Sequence, residues 1–200
     1  MASPSLSLLA GGIIVGHSAE GVRVQLIATS ESAHDADALI LEEDTHLILS
    51  APAILPRKPE HPIRTMTALI DAKPVRPGEV IVKGRSAPFR FLAVVHDIER
   101  TPSWRPDWVR AALNAVVQEA AARELRSIAL PVLAGKHGNM EPAVFAGMLR
   151  ETLLSRPTAS LASVYLLLPP LDPVGRRRVE RALNGLTHDQ AKITNEPSTP

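Results

Sequence analysis

Apolar positions along the chain follow two periods, and the order of those periods defines the predicted elements. Val22, Val24 and Leu26 alternate with polar neighbours, the two-residue period of a half-buried strand. An apolar run at 12–16 precedes them across the turn HSAEG and reads as a second strand. Short apolar runs at 38–41 and 46–49 read as strands on either side of the acidic segment EEDT. Prolines at 52, 56, 59 and 62 make 51–62 an irregular connection. Ile63, Met66, Thr67 and Ile70 then fall at helical spacing, predicting a short helix to about Ala72 that Pro74 and Pro77 stop.

The second half is more regular. Segments 79–83 and 90–96 read as strands, the latter with the unbroken run FLAVV of a central strand. Leu113, Val116, Val117, Ala120 and Ala121 mark one face of a helix over 107–125, with Pro106 and Asp107 as its start. The stretch SIALPVLAGKHGNMEP, 127–142, places a buried strand, a glycine loop and a helix start in immediate succession. Phe145, Met148, Leu149, Thr152 and Leu153 mark that next helix, with Pro142 near its first turn. VYLLL at 164–168 is another buried strand. A last helix begins at Asp172-Pro173, carries Val179, Ala182, Leu183 and Leu186 on one face, and closes at Asn184-Gly185. Strand and helix thus alternate three times, which predicts a mostly parallel sheet covered on both faces. Ligands of such sheets bind beyond the carboxyl ends of the strands. Those ends are Leu41–Thr45, His96-Asp97, the 134–140 loop and Pro169-Pro170. Residues 1–186 are read as a single domain and the polar, aperiodic 187–200 as a disordered tail.

Composition narrows the function classes. Hydrophobic residues make up 45% and charged residues 22%, enough for a packed core. A net charge of +1 and 3% aromatics argue against a broad nucleic-acid surface, either electrostatic or by base stacking. The chain has no cysteine, which excludes disulfides, thiolate metal sites and cysteine catalysis and fits a cytoplasmic protein. Charged residues interrupt every longer apolar run, so no membrane span is expected. Eighteen prolines among many Ala and Arg residues suggest a bacterial, GC-rich coding style.

Candidate chemistry centres on 134–139. Backbone N–H groups of a strand–glycine–helix turn converge on one point and suit an anion, although the same turn also simply reverses the chain. Lys136 adds a point charge and His137 a ring at the tip. It is not a P-loop, since Leu130 and His137 stand where Gly and Ser or Thr are needed. Glu42, Glu43 and Asp44 suit a general base, a divalent cation or a solvated acidic turn. His34, Asp35 and Asp37 are metal ligands by type but lack supporting spacing, so no metal is expected. His96 either hydrogen-bonds a backbone group in the core or lines the cleft. Trp104 and Trp108 flank Pro106 and either pin the first helical turn or stack on a purine. Arg176, Arg177 and Arg178 point around the last helix as solvated charge. There is no G-x-S-x-G elbow with a triad and no H-E-x-x-H motif.

The order and spacing over about 20–185 resemble the macro domain, an ADP-ribose-binding α/β/α module. DADALIL resembles the family's strand VDAIV. PGEVIVK with FRFLAVVHD resembles its Gly-Glu segment and a strand ending in His, and SIALPVLAG with GKHG resembles its SIAFPAL strand and G-x-x-G diphosphate loop. The resemblance implies a three-layer α/β/α fold with a mixed, mostly parallel central sheet. It also implies a ligand of the ADP-ribose or nucleoside diphosphate class, held by Ala134, Gly135, Lys136, His137, Gly138 and Asn139 without a cofactor. Departures are concentrated in the first ligand loop. Leu41-Glu42-Glu43-Asp44 stands where the family has Asn-Ala-Ala-Asn, placing Asp44 at the second Asn, which contacts the distal ribose and helps hydrolysis. The family's glycine run is replaced by ILSAPAILP at 48–56, its adenine-reading aspartate has no match at Ala28-Thr29-Ser30, and the second loop is one residue shorter before Gly135. Three readings follow: a divergent ligand-binding module, an ADP-ribosyl hydrolase with Asp44 positioning or activating water, and a non-catalytic protein-interaction module whose 47–63 segment fills the cleft or offers a contact surface. The first is preferred, with an enzymatic role disfavoured.

Overall fold

The computed structural model describes residues 13–15, 21–28, 36–49, 74–156 and 158–185. Its strands are β1 (Ile13–Val15), β2 (Val22–Ala28), β3 (Ala38–Asp44), β4 (Val80–Lys83), β5 (Phe89–His96), β6 (Ser127–Pro131) and β7 (Ser163–Leu168). The described helices are α1 (Pro106–Ala122), a single turn α2 (Gly135–Gly138), α3 (Pro142–Ser155) and α4 (Pro173–Asn184). The strands form one sheet in the order β1-β2-β7-β6-β3-β5-β4. Pairing is parallel from β2 through β7, β6 and β3 to β5, with antiparallel β1 and β4 at the edges. The predicted mixed, mostly parallel sheet is therefore present.

Local sequence explains most of these elements. In β5 Leu92, Ala93, Val94 and Val95 are all buried, as a central strand covered on both faces requires. In β7 Val164, Leu166 and Leu168 are buried and alternate with partly exposed residues. α1 buries Val109, Ala112, Leu113, Val116, Val117 and Ala120, a stripe at helical spacing. The Asp172 carboxylate accepts from the Gly175 N–H at 2.6 Å to cap α4, and Gly185, at φ +76, ends it in the left-handed region. These helices pack on the sheet face carrying Val24, Ile40, Ala93, Ile128, Leu130, Val164 and Leu166, which form one core.

Three expectations are corrected. Residues 46–49 form turns rather than a strand. Their amides bond to the side chains of Glu43 and Asp44 instead of a neighbouring strand. β3 in turn runs three residues further than the apolar run 38–41, so the acids lie within the strand rather than after it. The glycine segment is a helical turn, and α3 begins separately at Pro142. The expected loose residues 1–5, turn HSAEG (but for Gly21), connection 51–62, helix 63–72 and tail 187–200 lie outside the described residues.

Candidate functional site

β3 and β6 are neighbours, but they pair only at Ala38–Ile128 and Leu39–Ala129. Beyond these two rungs each continues with its other neighbour, β3 with β5 as far as Asp44 and β6 with β7 as far as Pro131. The sheet therefore parts between β3 and β6 toward their carboxyl ends, the position at which open α/β sheets hold ligands. Glu42–Leu49 form the end of β3 and the turn after it, and Val132–Asn139 follow the end of β6, so the two segments flank this parting. The candidate residues Asp44 and Ala134–Asn139 thus come to the same edge of the sheet.

On the β3 side, Glu43 and Asp44 are fully buried. Asp44 accepts hydrogen bonds from the backbone N–H groups of His46 (2.6 Å), Ile48 (3.2 Å) and Leu49 (3.1 Å). Glu43 Oε1 accepts from the N–H groups of Asp44 (3.1 Å) and Leu49 (2.7 Å). A turn of this kind makes a nest for an anion, and here the chain's own carboxylates occupy it. Leu47 completes the turn at φ 60, with its N–H on the Asp44 carbonyl. Asp44 is held as the anchor of the turn, with its lone pairs directed at amides.

Glu42 does something different. Between Glu43 and Asp44 the β3–β5 register shifts, with Glu43 opposite Val94 and Asp44 opposite His96, so Val95 is an extra residue in β5. A bulge re-aims the side chains that follow it, and His96 Nε2 comes within 2.6 Å of Glu42 Oε1. This pair is almost enclosed, with side-chain exposures of 3% for His96 and 11% for Glu42. The ring of His137 approaches His96 edge-on, with centroids 6.0 Å apart. His96 is buried, but its partner is the Glu42 carboxylate rather than the backbone group expected for a core role, and its ring meets His137 of the 134–139 turn. Nearby, His46 Nε2 lies 3.4 Å from Glu99, and Asp97 pairs with Arg100 at 2.8 Å.

On the β6 side, Ala134 and Asn139 take left-handed conformations at φ 57 and φ 59, so α2 is a single turn between two sharp reversals. The Gly135 N–H donates to the Val132 carbonyl, and those of Gly138 and Met140 donate to the Ala134 carbonyl. A Cβ at Gly138 would lie 2.5 Å from the Trp104 indole, so glycine here admits close approach of that ring. Trp104 also bridges to His96 through the backbone and packs against the core, which favours its pinning role. The Arg105 guanidinium lies 5.4 Å over Trp108. Lys136, His137 and Asn139 are exposed at the tip, whereas Ala134 and Gly138 are buried.

The other sequence candidates disperse. His34 and Asp35 lie outside the described residues, and Asp37 accepts from the Arg126 and Ser127 N–H groups at the amino edge of the sheet. Arg176 pairs with Glu180 at 3.2 Å, and Arg178 lies 3.9 Å from Glu141. Among the described residues no group of three His, Asp or Glu is placed to hold a metal ion. No described helix is long and apolar enough to cross a membrane. The Glu42–His96 pair and the seating of Gly138 on Trp104 were not anticipated. Both depend on long-range register that no local motif encodes.

No family model matches the chain, and no curated protein matches it. Solved structures do. A variant of the Oceanobacillus iheyensis macrodomain with ADPR superposes with a TM-score of 0.61 at 13% identity, over 85% of this chain and 96% of that one. The same macrodomain with ADP gives 0.60 at 11% identity, over 85% and 94%. The macrodomain of Thermus aquaticus DarG gives 0.54 at 20% identity, over 74% of this chain and 100% of that one. At such identities the shared property is the arrangement of the backbone, and the chain has the α/β/α macrodomain fold.

Proposed function

We propose that the protein is a non-hydrolytic binding module for ADP-ribose or a related nucleoside diphosphate, taken up where β3 and β6 part. The observation that carries this reading is the loss of β3–β6 pairing after Leu39–Ala129, with exposed Lys136, His137 and Asn139 on one flank. Solved structures of the same fold that hold ADPR and ADP support the ligand class. In this reading the 134–139 turn takes the diphosphate, Lys136 supplies a point charge to it, and His137 lies against a ribose. Asp44, caged by three amides, holds the facing turn rather than activating water. The acidic side of the crevice favours the part of a ligand farthest from its phosphates, because carboxylates, even those bonded to amides or to His96, repel a diphosphate at close range.

Titration calorimetry of the purified protein with ADP-ribose, ADP and NAD tests this. Saturable binding is expected for at least one of them, weakened by about tenfold in Lys136→Ala through loss of a charged phosphate contact. Absence of saturable binding at millimolar ligand would discard the reading. The protein-interaction alternative would then stand, and the filled nest at 44–49 is the observation that favours it. Leu49 is half-buried there, while Ile54 and Leu55 lie outside the described residues.

A further inference from the structure

At the amino edge of the sheet, opposite the crevice, two cations face each other. Lys83 of β4 stands directly across the antiparallel ladder from Arg90 of β5. Like charges in directly opposed positions destabilise a strand pair. Neither side chain has an ion-pair partner among the described residues. Acids at this end are engaged elsewhere: Asp37 accepts from two backbone N–H groups, and Glu119 bridges to Arg123. Arg123 itself lies over Phe89 and Phe91, 5.9 Å from each ring centre.

Lys83 and Arg90, both exposed, line a surface cavity of about 290 Å³ together with Leu39, Gly84, Pro88 and Phe89, and no carboxylate among the described residues lines it. That volume lies just below the range for ligand pockets, roughly 300–1,000 Å³, and suits only a small ligand. β4 is the outermost strand, and a lysine on such a strand discourages edge-to-edge pairing. That purpose needs neither a second cation opposite nor apolar walls. An arginine fork beside a lysine point charge suits a phosphate, and Leu39, Pro88 and Phe89 suit a compact apolar substituent. We propose that this cavity binds a small phosphate monoester with an apolar or aryl group, its phosphate between Lys83 and Arg90, at a site separate from the β3–β6 crevice.

Phenyl phosphate and inorganic phosphate, titrated into the full chain at constant ionic strength, test the proposal. Saturable binding is expected, tighter for phenyl phosphate, and weaker by about tenfold in Lys83→Gln and in Arg90→Gln. Lys136→Ala should leave it unchanged, which separates this site from the crevice. Without ligand, either Gln variant should melt no lower than the parent, because one of two opposed like charges is gone. The proposal is overturned by no saturable binding at tens of millimolar phenyl phosphate, or by equal binding in the Gln variants. It is also overturned if an oligonucleotide binds with a steep salt dependence while phenyl phosphate does not, which would make this edge a nucleic-acid contact.

Discussion

Asp44 and Gly138 show how a residue that resembles part of a ligand site can hold the framework instead. The Asp44 carboxylate satisfies the amides of His46, Ile48 and Leu49 in a buried setting. Asp44→Ala leaves those donors without their acceptor and should destabilise the protein by about 2–4 kcal/mol. Asp44→Asn, whose amide oxygen still accepts, should cost less, and urea denaturation of the two variants checks the order. Gly138→Ala drives a methyl into the Trp104 indole and should cost about 1–3 kcal/mol. In a Trp104→Leu background the same substitution should cost less, so a double-mutant cycle separates this clash from helix propensity. The glycines at 135 and 138 were legible in the sequence as a tight turn. The indole behind Gly138 was not, because Trp104 is remote in sequence and is brought there by its bridge to His96.

At the scale of elements, what was legible followed from periodicity. The stripes of α1 and α3 and the continuous core run of β5 appear where the apolar spacing placed them. The segment 46–49 fails for a physical reason: its apolar residues look like a strand, but two preceding carboxylates compete for its amides. Register was equally invisible, and the extra residue Val95 decides that His96 meets Glu42. Glu42→Ala should therefore leave a buried imidazole without its partner and cost about 1–3 kcal/mol, with Glu42→Gln recovering part of the loss. At α4, Asp172→Ala removes an N-cap bond and should cost about 1 kcal/mol. Chemical denaturation midpoints at constant slope check both values.

For the whole molecule, one sheet offers two edges with different charge. The carboxyl edge carries Glu42, Glu43 and Asp44, whose carboxylates are engaged by His96 and by the amides of the 44–49 turn, and the amino edge carries the opposed pair Lys83 and Arg90. The fold was legible in the alternation of strands and helices and in a few spaced motifs, and solved macrodomains with under 21% identity share it. Ligand chemistry was less legible, because a fold is retained by core packing while a site depends on a few loop residues. In this sequence the stretches 41–44 and 48–56 carry carboxylates and apolar side chains where the resemblance implies amides and glycines.

The central claim concerns where a nucleoside diphosphate sits. Backbone amide chemical shifts of the isotopically labelled protein, followed through an ADP-ribose titration, test it most directly. Saturable changes at Glu42–Leu49 and Val132–Asn139, with Lys83 and Arg90 unmoved, are predicted. No saturable change, or changes confined to residues away from the β3–β6 crevice, would contradict the account.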